Sequence, residues 1–114
     1  MRMWTVDPGK MCGKHLRGEY VECLMIAGTM RLEHRLDGYF AHNCIEPKSV
    51  VPRFAALKKE MLLRGYNAKK SLRAVNFAYL PSNQQNFRID KKASASLLST
   101  RCAACRAKMG YKKQ

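Results

Sequence analysis

Three side chains that can exchange protons or stabilise charge recur along one segment of the chain: His15, Glu19 and Glu22. At about 100° per residue in an α-helix, the three fall within roughly 60° of one another. One stripe of such a helix would carry an imidazole and two carboxylates, which are groups used in acid–base chemistry and in stabilising positive charge. The alternative is a solvated face on which a Glu–His pair supports the helix.

A second reactive group, the α-amine of Met1, lies only a few residues upstream and is close enough in sequence to fold back over this helix. An α-amine has an ordinary pKa of about 7.7–8, so a useful fraction is neutral near pH 7 and can attack an electrophilic carbon. Arg2 is too large for the usual removal of the initiator methionine. We therefore expect Met1 to be retained and its amine to be the nucleophile.

The charge of the chain predicts its partner. The sequence has 22 Lys and Arg against 8 Asp and Glu, and 22 − 8 gives a net charge of +14. A domain with so much like charge repels itself unless a polyanion lies against it, and nucleic acid gains affinity by releasing counterions from neutralised phosphates. No 18-residue apolar stretch and no long amphipathic stretch is present, so a membrane is not expected as a partner, and neither is an obligate protein partner.

The length of 114 residues predicts one domain over residues 1–114. The opening MRMWTVDPGKMC carries charge but lacks the apolar region of a signal peptide. The five cysteines are an odd number in a chain with ordinary core material. This combination favours a reducing cytoplasm and no disulfide framework.

Helix signals predict an all-α fold of about three main helices, with the N-terminal segment packed over them. Asp7 is a capping residue and Pro8 suits a first helical position, so a first helix is expected to open there and to run to about Ala27, before Gly28. Residues 29–48 are expected to form a short helix or turn with a loop. No alternating pattern indicates a strand.

The most regular pattern lies in SVVPRFAALKKEMLLRGYN, residues 49–67, which predicts a helix ended by Gly65. Its apolar face is formed at helical spacing by Val50, Phe54, Leu57 and Met61. A polar connection, residues 67–88, is expected to touch the core through Phe77, Tyr79 and Leu80. A last helical stretch is expected to start at the capping residue Asp90 and to reach Gly110.

Two runs in this frame resemble a known family. HLRGEYVE, residues 15–22, resembles a segment of the pyrimidine-dimer DNA glycosylases of the phage endonuclease V type, in which a catalytic Glu stands two residues after a Tyr. EMLLRGYN, residues 60–67, resembles their second shared block. The opening MRMW, the MC-KHL-GE run and DGY, residues 37–39, resemble shorter members found in phages and bacteria. The resemblance covers roughly residues 1–70.

The resemblance implies flipping of a damaged base, cleavage of its N-glycosidic bond and strand nicking by β-elimination through an imine. The implied substrate is double-stranded DNA with ultraviolet damage in a bacterial or phage-infected cytoplasm. By position, Glu22 matches the catalytic glutamate, with the Met1 amine as nucleophile. His15 matches an active-site histidine and Arg2 a DNA-contacting arginine. With Lys14 and Arg17, these two residues are assigned to DNA binding. Val21 departs from the family, which has an arginine at that position.

Cys102 and Cys105 form a CxxC, which is half of a tetrahedral zinc site. Cys12 with Cys44, or Cys12 with His15, would supply the other half; the alternative is cysteines that merely pack. Because the second pair lacks a clean spacing, the sequence assigns no metal ligand and no cofactor, and the CxxC pair is not expected to take part in chemistry.

The C-terminal stretch, about residues 90–114, is basic and is expected to contact phosphates through Arg101, Arg106, Lys108, Lys112 and Lys113. The competing interpretation of the whole chain is a non-enzymatic, small basic nucleic-acid-binding protein, with or without zinc.

Overall fold

The computed structural model describes residues 1–110, so the predicted contacts of Lys112 and Lys113 lie outside the described residues. Within residues 1–110 the chain forms six α-helices and no strand, which confirms the all-α prediction. The helices are α1 (Gly13–Arg31), α2 (Asp37–Ala41), α3 (Val50–Leu63), α4 (Ser82–Gln85), α5 (Lys91–Arg101) and α6 (Ala103–Met109). Two short 3-10 turns, Pro8–Lys10 and Pro47–Ser49, precede α1 and α3.

The predicted first helix has different ends from those expected. Asp7 does act as a cap, and its carboxylate accepts from the Gly9 amide at 3.0 Å. The element that it caps is only the 3-10 turn Pro8–Lys10, which ends at Lys10. The chain is then extended through Met11 and Cys12, which buries Met11 completely, and α1 begins at Gly13.

The predicted stop at Gly28 was also wrong, because α1 continues to Arg31. Met30 in that last turn is fully buried. Burial of a Met side chain contributes more than the roughly 1 kcal/mol that a glycine costs inside a helix, so packing decides the length of α1.

The prediction for α3 is confirmed, since its four predicted apolar residues are the buried ones. α3 packs along α1, where Tyr20 stacks on Phe54 with ring centroids 4.8 Å apart. Gly65 follows with φ of +82°, a conformation that suits glycine and lets the chain turn back. Tyr66 then reaches the start of α1, where a Cβ at Gly13 would collide with the Tyr66 hydroxyl.

The last predicted helical stretch is two helices. Asp90 caps α5 as expected, accepting from the Ala93 amide at 3.0 Å. Cys102 interrupts the stretch with an extended conformation, φ −133° and ψ 109°, and α6 starts after it. The connection before α5 touches the core through Phe77, Tyr79 and the buried Leu80, as expected.

The N-terminal segment lies over the helices, as predicted, and its backbone is held at several points. The Met3 amide donates to the Cys44 carbonyl at 2.7 Å. The Trp4 carbonyl accepts from the hydroxyl of Ser94, which is on α5. Arg64, the residue that follows α3, donates to the Pro8 carbonyl at 3.1 Å. Because these anchors come from distant parts of the chain, the path of residues 1–8 is fixed by the assembled fold.

A buried ion pair joins α1 to α3. Glu19 is completely buried, and its carboxylate accepts from Arg53 Nε at 2.6 Å and Arg53 Nη2 at 2.9 Å. The third nitrogen, Nη1, donates to the Val6 carbonyl at 2.6 Å. One guanidinium thus binds two helices and the N-terminal segment in a bidentate geometry that favours arginine over lysine.

We expect Arg53→Met to lower the free energy of unfolding by about 3–5 kcal/mol, because the Glu19 carboxylate would remain buried without a partner. The measurement is urea denaturation at neutral pH. The double variant Glu19→Leu/Arg53→Met should recover much of the loss, since no lone charge is left. Arg35→Met removes an exposed pair with Asp37 and should stay close to wild type. An equal, small effect of the Arg53 and Arg35 variants would contradict this role.

Candidate active site

A cavity of about 650 Å³ opens where the N-terminal segment, α1, α2 and the end of α5 meet; we call it the Glu22 cavity. Four of the six predicted site residues line it: Met1, Arg2, His15 and Glu22. The other lining residues are Trp4, Gly38, Tyr39, His42, Cys44 and Arg101. The sequence spacing that suggested one stripe therefore leads to one cavity for His15 and Glu22.

Met1 reaches the cavity because hydrogen bonds hold the backbone of the residues that follow it. The Met3 amide is bound to Cys44, and the Thr29 hydroxyl on α1 lies 3.8 Å from the Met1 sulfur. Thr5 has φ of +55°, which is strained for a β-branched residue. This turn is held between the anchored carbonyls of Trp4 and Val6. Strain of this kind persists only where the surroundings impose it.

Glu22 is half-buried, and its surroundings act on its charge in opposite directions. Burial raises the pKa of the Glu22 carboxyl above its ordinary value, and this is the dominant effect. The positive charge of the Met1 amine and the backbone N–H of Arg2 oppose the shift. The carboxylate and the amine are therefore close enough to feel each other, and the protonated form of Glu22 is more favoured than that of an exposed glutamate.

Aromatic and cationic groups surround this pair. The Arg2 guanidinium carbon lies 5.1 Å from the centroid of the Trp4 ring, and Arg2 Nη1 lies 3.5 Å from the His42 carbonyl. His15 meets Trp4 edge to face with ring centroids 6.0 Å apart. Burial, with a smaller contribution from Lys14, lowers the pKa of His15, which favours a neutral imidazole.

Glu19 does not lie in the cavity, although its helical position is next to that of Glu22. Its carboxylate is turned toward α3, where it forms the ion pair with Arg53. The predicted stripe thus divides into a structural carboxylate, Glu19, and a cavity carboxylate, Glu22.

Lys14 and Arg17 do not line the cavity either. Both are exposed on α1. Arg17 lies over the Tyr66 ring, 4.7 Å from its centroid, and Arg17 Nε donates to the Gly13 carbonyl at 3.1 Å. At about 100° per residue, Arg17 lies about 140° around α1 from Glu22, so it faces away from the cavity.

Among the lining residues that sequence reasoning did not place at the site, Tyr39 and His42 carry side chains that can stack or hydrogen-bond. Tyr39 stands in the DGY run, which was noted only as part of the resemblance, and spacing gave no signal for His42. Arg101 was predicted as a phosphate contact, but its place at the cavity follows only from the packing of α5. In each case the relevant contact joins segments far apart in sequence.

Comparison with known proteins identifies the family. Residues 1–74 match the family model described as pyrimidine dimer DNA glycosylase. The chain belongs to this family. Neither the curated proteins nor the solved structures gave a match. The pyrimidine dimer DNA glycosylases are DNA repair enzymes, so DNA is the substrate class.

The matched region includes every lining residue of the Glu22 cavity except Arg101. α5 and α6 lie outside it. Among residues 1–110, no helix combines the length and the apolar character needed to cross a membrane.

We expect Glu22→Gln to be at least as stable as wild type at pH 8. A carboxyl whose pKa is raised on folding destabilises the fold when it is ionised, so the advantage of Gln should grow as pH rises through the Glu22 pKa and vanish in acid. Thermal melts at several pH values measure this. Glu33→Gln, at an exposed carboxyl, is the matched control and should follow wild type. If Glu22→Gln were less stable than wild type, and only above neutral pH, the ionised Glu22 would stabilise the fold, which contradicts this prediction.

Proposed function

We propose that this glycosylase excises ultraviolet-induced pyrimidine dimers from double-stranded DNA and then nicks the strand as an apurinic/apyrimidinic lyase. The Met1 amine would be the nucleophile and Glu22 the catalytic carboxylate. The observation that carries the proposal is the shared position of the amine and the carboxylate in one cavity, with opposed effects on the Glu22 pKa. The proposal requires that Met1 carry a free amine in the mature protein.

The chemistry begins with attack of the neutral amine on C1′ of the damaged nucleotide. The C1′–N bond to the base breaks as the C1′–N bond to Met1 forms, and the base leaves with the electron pair. The ionised Glu22 stabilises the developing positive charge on the sugar and accepts a proton from the amine.

Opening of the sugar ring then gives an imine between C1′ and the Met1 nitrogen, with the ring oxygen taking up a proton. Loss of the 2′ proton and departure of the 3′ phosphate breaks the strand by β-elimination. Water hydrolyses the imine, which returns the amine.

The remaining lining residues suit the binding of a flipped nucleotide. A volume of about 650 Å³ is within the range of small-molecule sites. Tyr39, 37% exposed, offers an aromatic face for stacking, and Arg2 and Arg101 offer charge for the flanking phosphates. We assign His15 to DNA contact at the cavity, and Lys14 and Arg17, which are exposed elsewhere on α1, to contacts with phosphates outside the cavity.

We further propose that residues 1–114 act as one glycosylase domain, because the part beyond the family match completes the site. Ser94 on α5 holds the Trp4 carbonyl, and Arg101 at the end of α5 lines the cavity. Glu46 accepts from the Ile89 amide at 2.8 Å and so fastens the start of α5 to the segment before α3.

Glu22→Gln should slow base release from ultraviolet-irradiated plasmid by at least about 100-fold, the lower range of what a positioned acid–base group contributes. DNA affinity should stay the same or rise, because one negative charge is removed from a DNA-facing cavity. Nick formation and a binding titration at fixed salt measure the two quantities, with Glu33→Gln as the charge-matched control. Near-normal nicking by Glu22→Gln would remove Glu22 from the mechanism. Absence of base release by the wild type would favour the non-enzymatic nucleic-acid binder.

Blocking the N-terminal amine should abolish covalent trapping. Borohydride reduces the imine to a stable link between protein and DNA, so the untagged protein should be trapped on irradiated DNA. Protein that is acetylated at Met1 or extended by one residue should not be trapped, while its DNA affinity should change little. Intact mass identifies the first residue in each preparation. Equal nicking by blocked and free protein would exclude the amine and leave a monofunctional glycosylase in which Glu22 activates water.

A further inference from the structure

Four metal-ligating side chains converge beside the Glu22 cavity, from two parts of the chain some 90 residues apart. They are Cys12, His15, Cys102 and Cys105, and one ligand atom of each lies within 4.8 Å of all the others. We call them the Cys12 cluster. We propose that the Cys12 cluster binds one Zn²⁺ ion as a closed Cys₃His site. This replaces the sequence-based assignment of no metal ligand.

The distances within the Cys12 cluster fit a tetrahedral ion. Zn–S bonds of about 2.3 Å at tetrahedral angles place two sulfur ligands about 3.8 Å apart, and a sulfur and a nitrogen ligand about 3.6 Å apart. The Cys12 and Cys102 sulfurs are 3.8 Å apart, and the Cys12 sulfur is 3.2 Å from His15 Nδ1. Small adjustments of side chains would therefore be enough to place all four ligands around one ion.

The backbone around the Cys12 cluster is arranged for thiolates. Each of the three sulfurs faces a backbone N–H: Cys12 Sγ that of His15 at 3.4 Å, Cys102 Sγ that of Cys105 at 3.4 Å, and Cys105 Sγ that of Cys12 at 3.2 Å. N–H donors of this kind stabilise negative sulfur and orient metal ligands.

The same arrangement explains two departures of the fold from the sequence prediction. Cys12 and Cys102 each occupy the capping position of a helix, α1 and α6, with the second ligand three residues later. The delayed start of α1 and the break between α5 and α6 both bring a ligand pair to the same point. The other two cysteines, Cys23 and Cys44, lie outside the cluster.

Four protein ligands leave no open coordination position, which is typical of structural zinc rather than catalytic zinc. The ion would fasten α6 to the start of α1 and would hold His15 at the wall of the Glu22 cavity. Zinc on Nδ1 leaves the ring proton on Nε2, so His15 would be a fixed hydrogen-bond donor. His15 would thus be a positioning residue, compatible with DNA contact and not with proton transfer.

The test is metal analysis of the full chain, purified in reducing buffer without chelators. We expect one equivalent of zinc per chain, lost in Cys12→Ser and Cys102→Ser and retained in Cys23→Ala and Cys44→Ala. Cobalt in place of zinc should give the intense visible absorption of a tetrahedral thiolate site. Cys102→His should recover zinc relative to Cys102→Ser, which separates metal binding from packing.

Chelation gives a second readout, should the serine variants fail to fold. Removing the metal from the wild type should lower its melting temperature, and adding zinc back should restore it. A folded wild type without stoichiometric zinc would overturn the proposal. So would an intact mass two hydrogens short, if peptide mapping assigned the missing hydrogens to a Cys12–Cys102 disulfide. These results do not depend on glycosylase activity, so they can fail while the proposed function stands.

Discussion

The bidentate pair between Glu19 and Arg53 is the interaction on which the positions of the other site groups depend. It lies where α1 crosses α3, and the same guanidinium binds the Val6 carbonyl of the N-terminal segment. Two charges removed from water cost several kcal/mol each unless geometry and hydrogen bonding compensate. Here all three guanidinium nitrogens have partners, so a single relative placement of two helices and the N-terminal segment is favoured.

That placement determines what Glu22 can do. With Glu19 directed into the core, Glu22 lies one helical turn further along and faces the cavity beneath Met1. The half-buried carboxylate of Glu22 and the positive φ of Thr5 both cost stability, and Glu22 lies close enough to the terminal amine to feel its charge. The surrounding anchors compensate for these costs, which is a common compromise between stability and a preorganised site.

The last third of the chain completes a site that begins in the first. Glu46 is buried. Burial alone would raise the pKa of its carboxyl, but hydrogen bonds from Ser49 and the Ile89 amide hold that pKa below the ordinary value. These bonds fix the approach to α5, whose Ser94 and Arg101 then reach the N-terminal segment and the cavity. The Cys12 cluster adds a second link between the two ends of the described chain.

The sequence by itself determined the helical class and the apolar face of α3, because periodicity and local motifs are properties of neighbouring residues. It also offered Met1 and Glu22 as a candidate pair, through the resemblance of short local runs to a family. The tertiary structure decided what depends on distant residues. Spacing could not pair Arg53 with Glu19, because the two residues are 34 positions apart in sequence. Arg53 also lies at the edge of the apolar face of α3, where no pattern marks it as a partner. The start of α1 at Gly13 and the break at Cys102 follow from packing that no local capping signal contains. Likewise, Cys12 with His15 stayed one of two alternatives until folding brought Cys102 and Cys105 to the same point.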